Sequence, residues 1–131
     1  MSRIFKKFTF LRELNLNNFI TDNVTNMFNM FYYCESLKEI NFTNFNTNNV
    51  TNMSNMFYRC TELKEINLNN LNTNNVTNIS GMFYGCKSLK KINLKNLNTN
   101  VTNISGMFYG CSSLKELNLN YLNTILIMLM I

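Results

Sequence analysis

The sequence predicts an α/β solenoid: one parallel sheet of short strands, with a short helical turn in each repeat. Three observations lead there. A unit of 26 residues, clearest at Leu63–Ser88 (LKEINLNNLNTNNVTNISGMFYGCKS), recurs along most of the chain. Inside each unit the apolar spacing changes from alternation to steps of three and one. One unit is a residue short, yet no apolar column is lost.

The whole chain, 1–131, reads as a single repeat array. Full units are expected at 11–36, 37–62, 63–88 and 89–113, followed by a partial unit at 114–124 and an aberrant apolar tail at 125–131. Met1–Phe10 is a degenerate half-repeat, because Ser2, Ile4, Phe5 and Phe8 fall where Ser54, Met56, Phe57 and Cys60 fall later. Lys6 and Lys7 suit a polar cap there.

Each unit opens Leu-x-x-Ile/Leu-Asn-Leu/Phe, as at Leu63, Ile66, Asn67 and Leu68. The last three positions alternate, which is the period of a strand. Copies stacked ~4.8 Å apart make a parallel sheet with Leu63, Ile66 and Leu68 inward. The missing residue lies in the next segment: Asn74-Asn75 before Val76 becomes Asn100 alone before Val101. One residue lost inside a strand would exchange its two faces, so this segment, NTNN, is a turn.

After the turn, Val76, Ile79, Met82 and Phe83 follow at steps that suit a loop feeding a tight helical turn. Ser80 is the expected N-cap and Gly85 the left-handed residue that ends the turn. Ser54 and Ser105 repeat the cap, whereas unit one has Phe28 and should start its helix less well. The inward set is completed by Leu71 and Cys86. One unit buries too little to offset its ordering entropy, so neighbours must supply the missing walls.

Composition narrows the function. Asparagine accounts for 28 residues, and Ala, Gln, His, Pro and Trp are absent. Without histidine the usual general base and the commonest metal ligand are missing, which argues against an enzyme. The net charge of +5 is concentrated in Arg3, Lys6 and Lys7 and in the acid-free run Lys87, Lys90, Lys91 and Lys95; both read as solvated faces, too sparse for a specific nucleic-acid site. MSRIFKKFTF has lysines where a secretory signal needs an apolar core. The longest apolar run, Ile125–Ile131, is far below the ~20 residues of a membrane span.

The residues LKEINL at Leu63–Leu68, NVTNISGMF at Asn75–Phe83 and FYGCKSL at Phe83–Leu89, with their copies, resemble the leucine-rich-repeat superfamily, in particular BspA-like and related bacterial surface-protein repeats of this length. The resemblance implies a curved solenoid with one parallel sheet, a place at the cell surface or outside the cell, and roles in adhesion and partner binding. It implies no catalytic residues and no cofactor.

Cys34, Cys60, Cys86 and Cys111 form one column. Zinc needs ligands converging on a point, and side chains pointing the same way rarely meet disulfide geometry, so buried free thiols are expected. The outward columns are Arg12, Lys38, Lys64, Lys90 and Lys115, beside Glu13, Glu39, Glu65, Lys91 and Glu116, with Asn15, Asn41, Asn67, Asn93 and Asn118 stacking as an amide ladder. The acids are expected to relieve the cation column by pairing with it. From these columns the candidate binding face is Lys38, Glu39, Asn41, Lys64, Glu65, Asn67, Lys90, Lys91, Asn93, Lys115, Glu116 and Asn118.

Eight Asn-x-Ser/Thr triplets, at Asn23, Asn41, Asn49, Asn52, Asn75, Asn78, Asn100 and Asn103, follow from the repeat itself. The tail is different. An A/T-rich gene segment for another Asn-rich turn, shifted by one nucleotide, yields Ile-Leu-Ile-Met-Leu-Met-Ile and then a stop. Residues 125–131 are therefore expected to be an out-of-frame end of a longer array, and a candidate for end-to-end self-association. The sequence thus predicts a non-enzymatic protein-interaction or adhesion scaffold, a fragment of a surface repeat protein, binding a protein or cell-surface ligand. The alternative is a structural or vestigial fragment with no dedicated ligand.

Overall fold

The computed structural model describes residues 1–94, 97 and 100–118, with the backbone alone at Asn118. Lys95, Thr99, the end of the partial unit and the tail 125–131, with the self-association expected of it, lie outside the described residues. Five short strands appear where the alternation places them: β1 (Glu13–Asn15), β2 (Glu39–Asn41), β3 (Glu65–Ile66), β4 (Lys91–Asn93) and β5 (Glu116–Asn118). All pairings are parallel and join equivalent residues, Glu13 to Glu39, Ile66 to Ile92 and Ile92 to Leu117.

The strands are short because asparagine ends them. The side-chain oxygens of Asn15, Asn41 and Asn67 accept the backbone N–H two residues on, from Asn17, Thr43 and Asn69, at 2.8–2.9 Å. These Asx-turns lead the chain away from the sheet line. The Asn15, Asn41 and Asn67 amides thus bond within their own units, a correction to the expected ladder.

True amide bonds between units occur in the NTNN turn instead. Asn72 donates to the Asn48 side chain at 2.7 Å, and Asn75 to the Asn48 carbonyl at 2.6 Å. Thr47 is buried in the same region and its hydroxyl donates to the Asn72 carbonyl at 2.9 Å. Val24, Val50 and Val76 close the turn by donating to Thr21, Thr47 and Thr73.

The segment expected to be helical is not. Among the described residues there is no helix, and Met53–Cys60 forms consecutive turns. The N–H groups of Met53, Asn55, Phe57 and Arg59 donate to the next unit's Asn78, Ser80, Met82 and Tyr84 carbonyls at 2.7–2.9 Å. Those of Met56, Tyr58 and Cys60 close i-to-i+3 bonds within the unit at 3.1–3.3 Å. With Ser54 N–H bonded to the Asn52 side chain, every backbone donor of the segment is used.

Asn55 (φ 53°) and Arg59 (φ 57°) occupy the third positions of successive turns, as a type II turn requires. Gly81 (φ 59°) and Gly85 (φ 70°) are their equivalents in unit three. A left-handed residue at every fourth position is incompatible with an α-helix. The capping expectation changes with it: the Asn52 and Asn78 side chains, not the serines, accept the N–H of Ser54 and Ser80 at 2.9 and 3.0 Å. Unit one keeps this bond through Asn26 to Phe28 N–H at 2.8 Å, so Phe28 loses only the serine hydroxyl's contact.

A Cβ added at Gly81 would collide with the Asn55 Oδ1. Gly81→Ala is therefore expected to lose about 1–2 kcal/mol from left-handed strain, and more from the contact. In an Asn55→Gly background the loss should shrink to the strain alone, measurable as a double-mutant cycle in urea.

One buried cluster runs from Leu16 to Phe108. Its spine is a column of phenylalanines, Phe5, Phe31, Phe57, Phe83 and Phe108, with successive ring centroids 5.4–5.8 Å apart and planes within 10° of parallel. The expected inward set is buried except for Leu68, which is half-buried. The sheet divides at the same place, into β1-β2 and β3-β4-β5. Unit two carries Phe42 and Phe45 where unit three has Leu68 and Leu71, and Phe42 stands edge-on to both Phe31 and Phe57. A cavity of about 20 Å³ lies beside Leu68 and Leu71, lined also by Met53 and by Leu94 and Leu97 of unit four. The Asn26–Asn52–Asn78–Asn103 bridges continue across the break in the sheet.

Candidate interaction surface

The sheet and its Asx-turns set the geometry of the candidate face. Lys38, Glu39, Asn41, Lys64, Glu65, Asn67, Lys90, Lys91, Lys115 and Glu116 are all exposed, Asn93 is half-buried, and the Asn118 side chain lies outside the described residues. Parallel register places Glu13 beside Glu39, and Glu65 beside Lys91, which neighbours Glu116. Two shallow recesses of about 480 and 450 Å³ lie over the sheet, the first lined by Glu13, Asn15, Glu39 and Asn41, the second by Glu39, Glu65, Asn67 and Lys91. Lys38, Lys64 and Lys90 line neither, so the recessed part of the face is mainly acidic.

The expected pairing of cation and acid columns is not found. Among the described residues the one ion pair is Lys91 to Glu116 at 3.1 Å, between exposed side chains, and such a pair contributes little. Arg12, Lys38 and Lys64, and Glu39 and Glu65 with them, keep their charges for solvent or for a partner.

The cysteine column has a structural explanation. All four thiols are free, and each donates to a carbonyl of the preceding unit: Cys34 to Phe5 at 2.9 Å, Cys60 to Phe31 at 3.2 Å, Cys86 to Phe57 at 3.1 Å and Cys111 to Phe83 at 3.0 Å. Burial pushes the Cys34 and Cys111 thiols up to about 11, and those of Cys60 and Cys86 higher still. At neutral pH they are protonated donors and poor nucleophiles.

A second ladder escapes the reading of charge columns. Tyr32, Tyr58, Tyr84 and Tyr109 stack along the turn edge with centroids 4.6–4.8 Å apart. Burial first, then neighbouring tyrosines, pushes the Tyr32 and Tyr58 hydroxyls up. Arg59 lies over Tyr33 at 5.3 Å and donates to its hydroxyl at 3.2 Å, while Lys6 lies 5.2 Å from the Tyr32 ring and Arg3 5.4 Å from that of Phe28. The signal was the recurrence of tyrosine directly after each core phenylalanine.

No described helix is long and apolar enough to cross a membrane. Among curated proteins none matches the chain. The fold is similar to that of a leucine rich cell surface protein from Faecalibacterium prausnitzii A2-165, with a TM-score of 0.50 and 24% identity over 70% of this chain. The chain spans 22% of that protein's length, so the likeness is one of fold. The leucine-rich-repeat resemblance carried by LKEINL and its copies holds at that level. A family model described as "Mycoplasma protein of unknown function, DUF285" matches residues 1–124. With its unit-to-unit stacking and parallel strands accounted for across the described part of that span, the chain belongs to the DUF285 family.

Proposed function

We propose that the chain is a non-enzymatic interaction module, a solenoid whose units 11–36, 37–62, 63–88 and 89–113 hold the sheet face toward a protein partner. The observation that carries this reading is the set of exposed carboxylates over the two recesses, Glu13 and Glu39 paired in register and Glu65 across the break in the sheet, none of them in an ion pair among the described residues. Like charges held ~4.8 Å apart repel one another, and a partner presenting Lys or Arg side chains relieves that cost. Asn41 and Asn67, fixed by their Asx-turns, add amide N–H donors at the same edge. The likeness to a surface protein supports a surface location and adhesion as the setting.

The full chain, immobilised, should capture its partner from cell-surface extracts. Glu39→Lys with Glu65→Lys is expected to reduce capture by about tenfold or more, because both residues are exposed and the change reverses four units of charge. Lys38→Glu with Lys64→Glu tests the adjacent column. Equal capture by the wild type and both pairs would reject the face, and no capture at all would favour the purely structural alternative.

A further inference from the structure

Among the described residues the exposed large apolar side chains are Ile4, Phe8, Phe10, Ile20 and Tyr109. All but Tyr109 lie within the first 20 residues. Phe10 is 93% exposed and Phe8 54%. Lys6, Lys7, Phe8, Thr9, Phe10 and Leu11 line a surface recess of about 460 Å³.

These identities depart from the repeat in a consistent way. The position of Phe10 is Ser36, Glu62, Ser88 and Ser113 in the later units, and that of Phe8 is the buried thiol column. Lys6 stands where the others have tyrosine, and Lys7 where they have Tyr33, Arg59, Gly85 and Gly110. Ile20 replaces the asparagines Asn46 and Asn72, whose amides bond back to Asp22 and Asn48 of the preceding unit. The same end of the stack has therefore exchanged polar groups for large apolar ones and has gained cations. Arg3 and Lys7 are exposed, and no acid precedes Glu13.

We propose that this end is a docking surface for an anionic lipid membrane. Phe8 and Phe10 would enter the boundary between headgroups and acyl chains, while Arg3, Lys6 and Lys7 meet the lipid phosphates. Exposed aromatics beside cations, as Phe8 and Phe10 share a recess with Lys6 and Lys7, are the pattern that interfacial binding requires. Each cation near an anionic leaflet strengthens binding roughly fivefold. A repeat-like partner would instead meet the thiol donor that joins each later unit to the one before it, and Phe8 has removed that donor.

The test is co-sedimentation of the full chain with vesicles of equal parts phosphatidylcholine and phosphatidylglycerol, against vesicles of phosphatidylcholine alone. Binding is expected to the mixed vesicles only and to weaken with salt. Phe10→Ser, which restores the repeat's own residue at an exposed site, should lower binding about tenfold. Lys6→Glu with Lys7→Glu should lower it by at least that much. Both variants keep the tail, so unchanged binding by them would overturn the proposal and assign any lipid affinity elsewhere. Absence of binding by the wild type would also overturn it. So would self-association relieved by Phe10→Ser without lipid binding, which would make the occupant a second copy of the chain.

Discussion

Replacing Phe57 by alanine is expected to cost about 3–5 kcal/mol, the range for deleting a fully buried aromatic ring. The ring lies fully buried between Phe31 at 5.4 Å and Phe83 at 5.5 Å, with Phe42 edge-on at 6.1 Å. In a stacked array each unit contacts only its neighbours, so a hole in unit two also weakens its joint with unit three. That joint is already the weakest in the sheet, since β2 and β3 belong to separate sheets there. The loss is a large fraction of the ~5–15 kcal/mol by which native domains are stable. A fall of about 10–20 °C in the melting midpoint should result. A reduced urea m-value would show that the two halves then unfold separately. Phe57→Leu, which keeps most of the volume, should cost far less. A drop of under about 1 kcal/mol for the alanine variant would show that the phenylalanine spine does not bind the units together.

Alkaline pH should produce the second large effect, through the thiols. In the folded chain Cys34 and Cys111 hold their protons up to about 11, and burial holds those of Cys60 and Cys86 further. The unfolded chain releases them near 8.5. Between those values the folded state binds more protons than the unfolded one, so stability falls as pH rises. Stability is therefore constant with respect to these groups below about pH 8 and is lost progressively from about pH 9 to 11 and beyond. With the four thiols protonated in the fold and ionised out of it, each contributes to the fall in stability across that window. Tyr32 and Tyr58, also raised, add to it above their ordinary range. Urea titrations at a series of pH values measure the slope. Cys34→Ser with Cys111→Ser should remove about half of it, and an unaltered slope would show that the thiols are not the cause.

Much of this molecule is legible in its repeat. The strand positions at Glu39–Asn41 and Lys91–Asn93, the turns at Asn48-Asn49 and Asn74-Asn75, and the buried column of Cys60 and Cys86 all follow from periodicity. They do so because a side chain's face is set locally by the spacing of its neighbours in the chain. The candidate face was legible as exposed columns but not as a surface with a sign. Lys64 and Glu65 are adjacent in sequence, yet Glu65 alone lines a recess over the sheet. The tyrosine ladder and the apolar end at Phe8 and Phe10 were missed for another reason: tyrosine after each core phenylalanine, and phenylalanine out of phase at Phe8 and Phe10, are visible in the repeat, but only stacking and exposure show that they are not core.

The sequence by itself determined the unit, its inside and its outside, and the stacking of like on like. The tertiary structure decided how the chain crosses each turn, because apolar steps of three and one suit a helical turn and a pair of left-handed tight turns equally. The choice lies with the N–H groups of Met53, Asn55, Phe57 and Arg59, which find carbonyls in the next unit rather than within their own. It also decided where the sheet breaks, between β2 and β3, a place that the repeat itself does not mark. Local spacing fixes which groups are buried, and only the neighbouring unit fixes what they meet there.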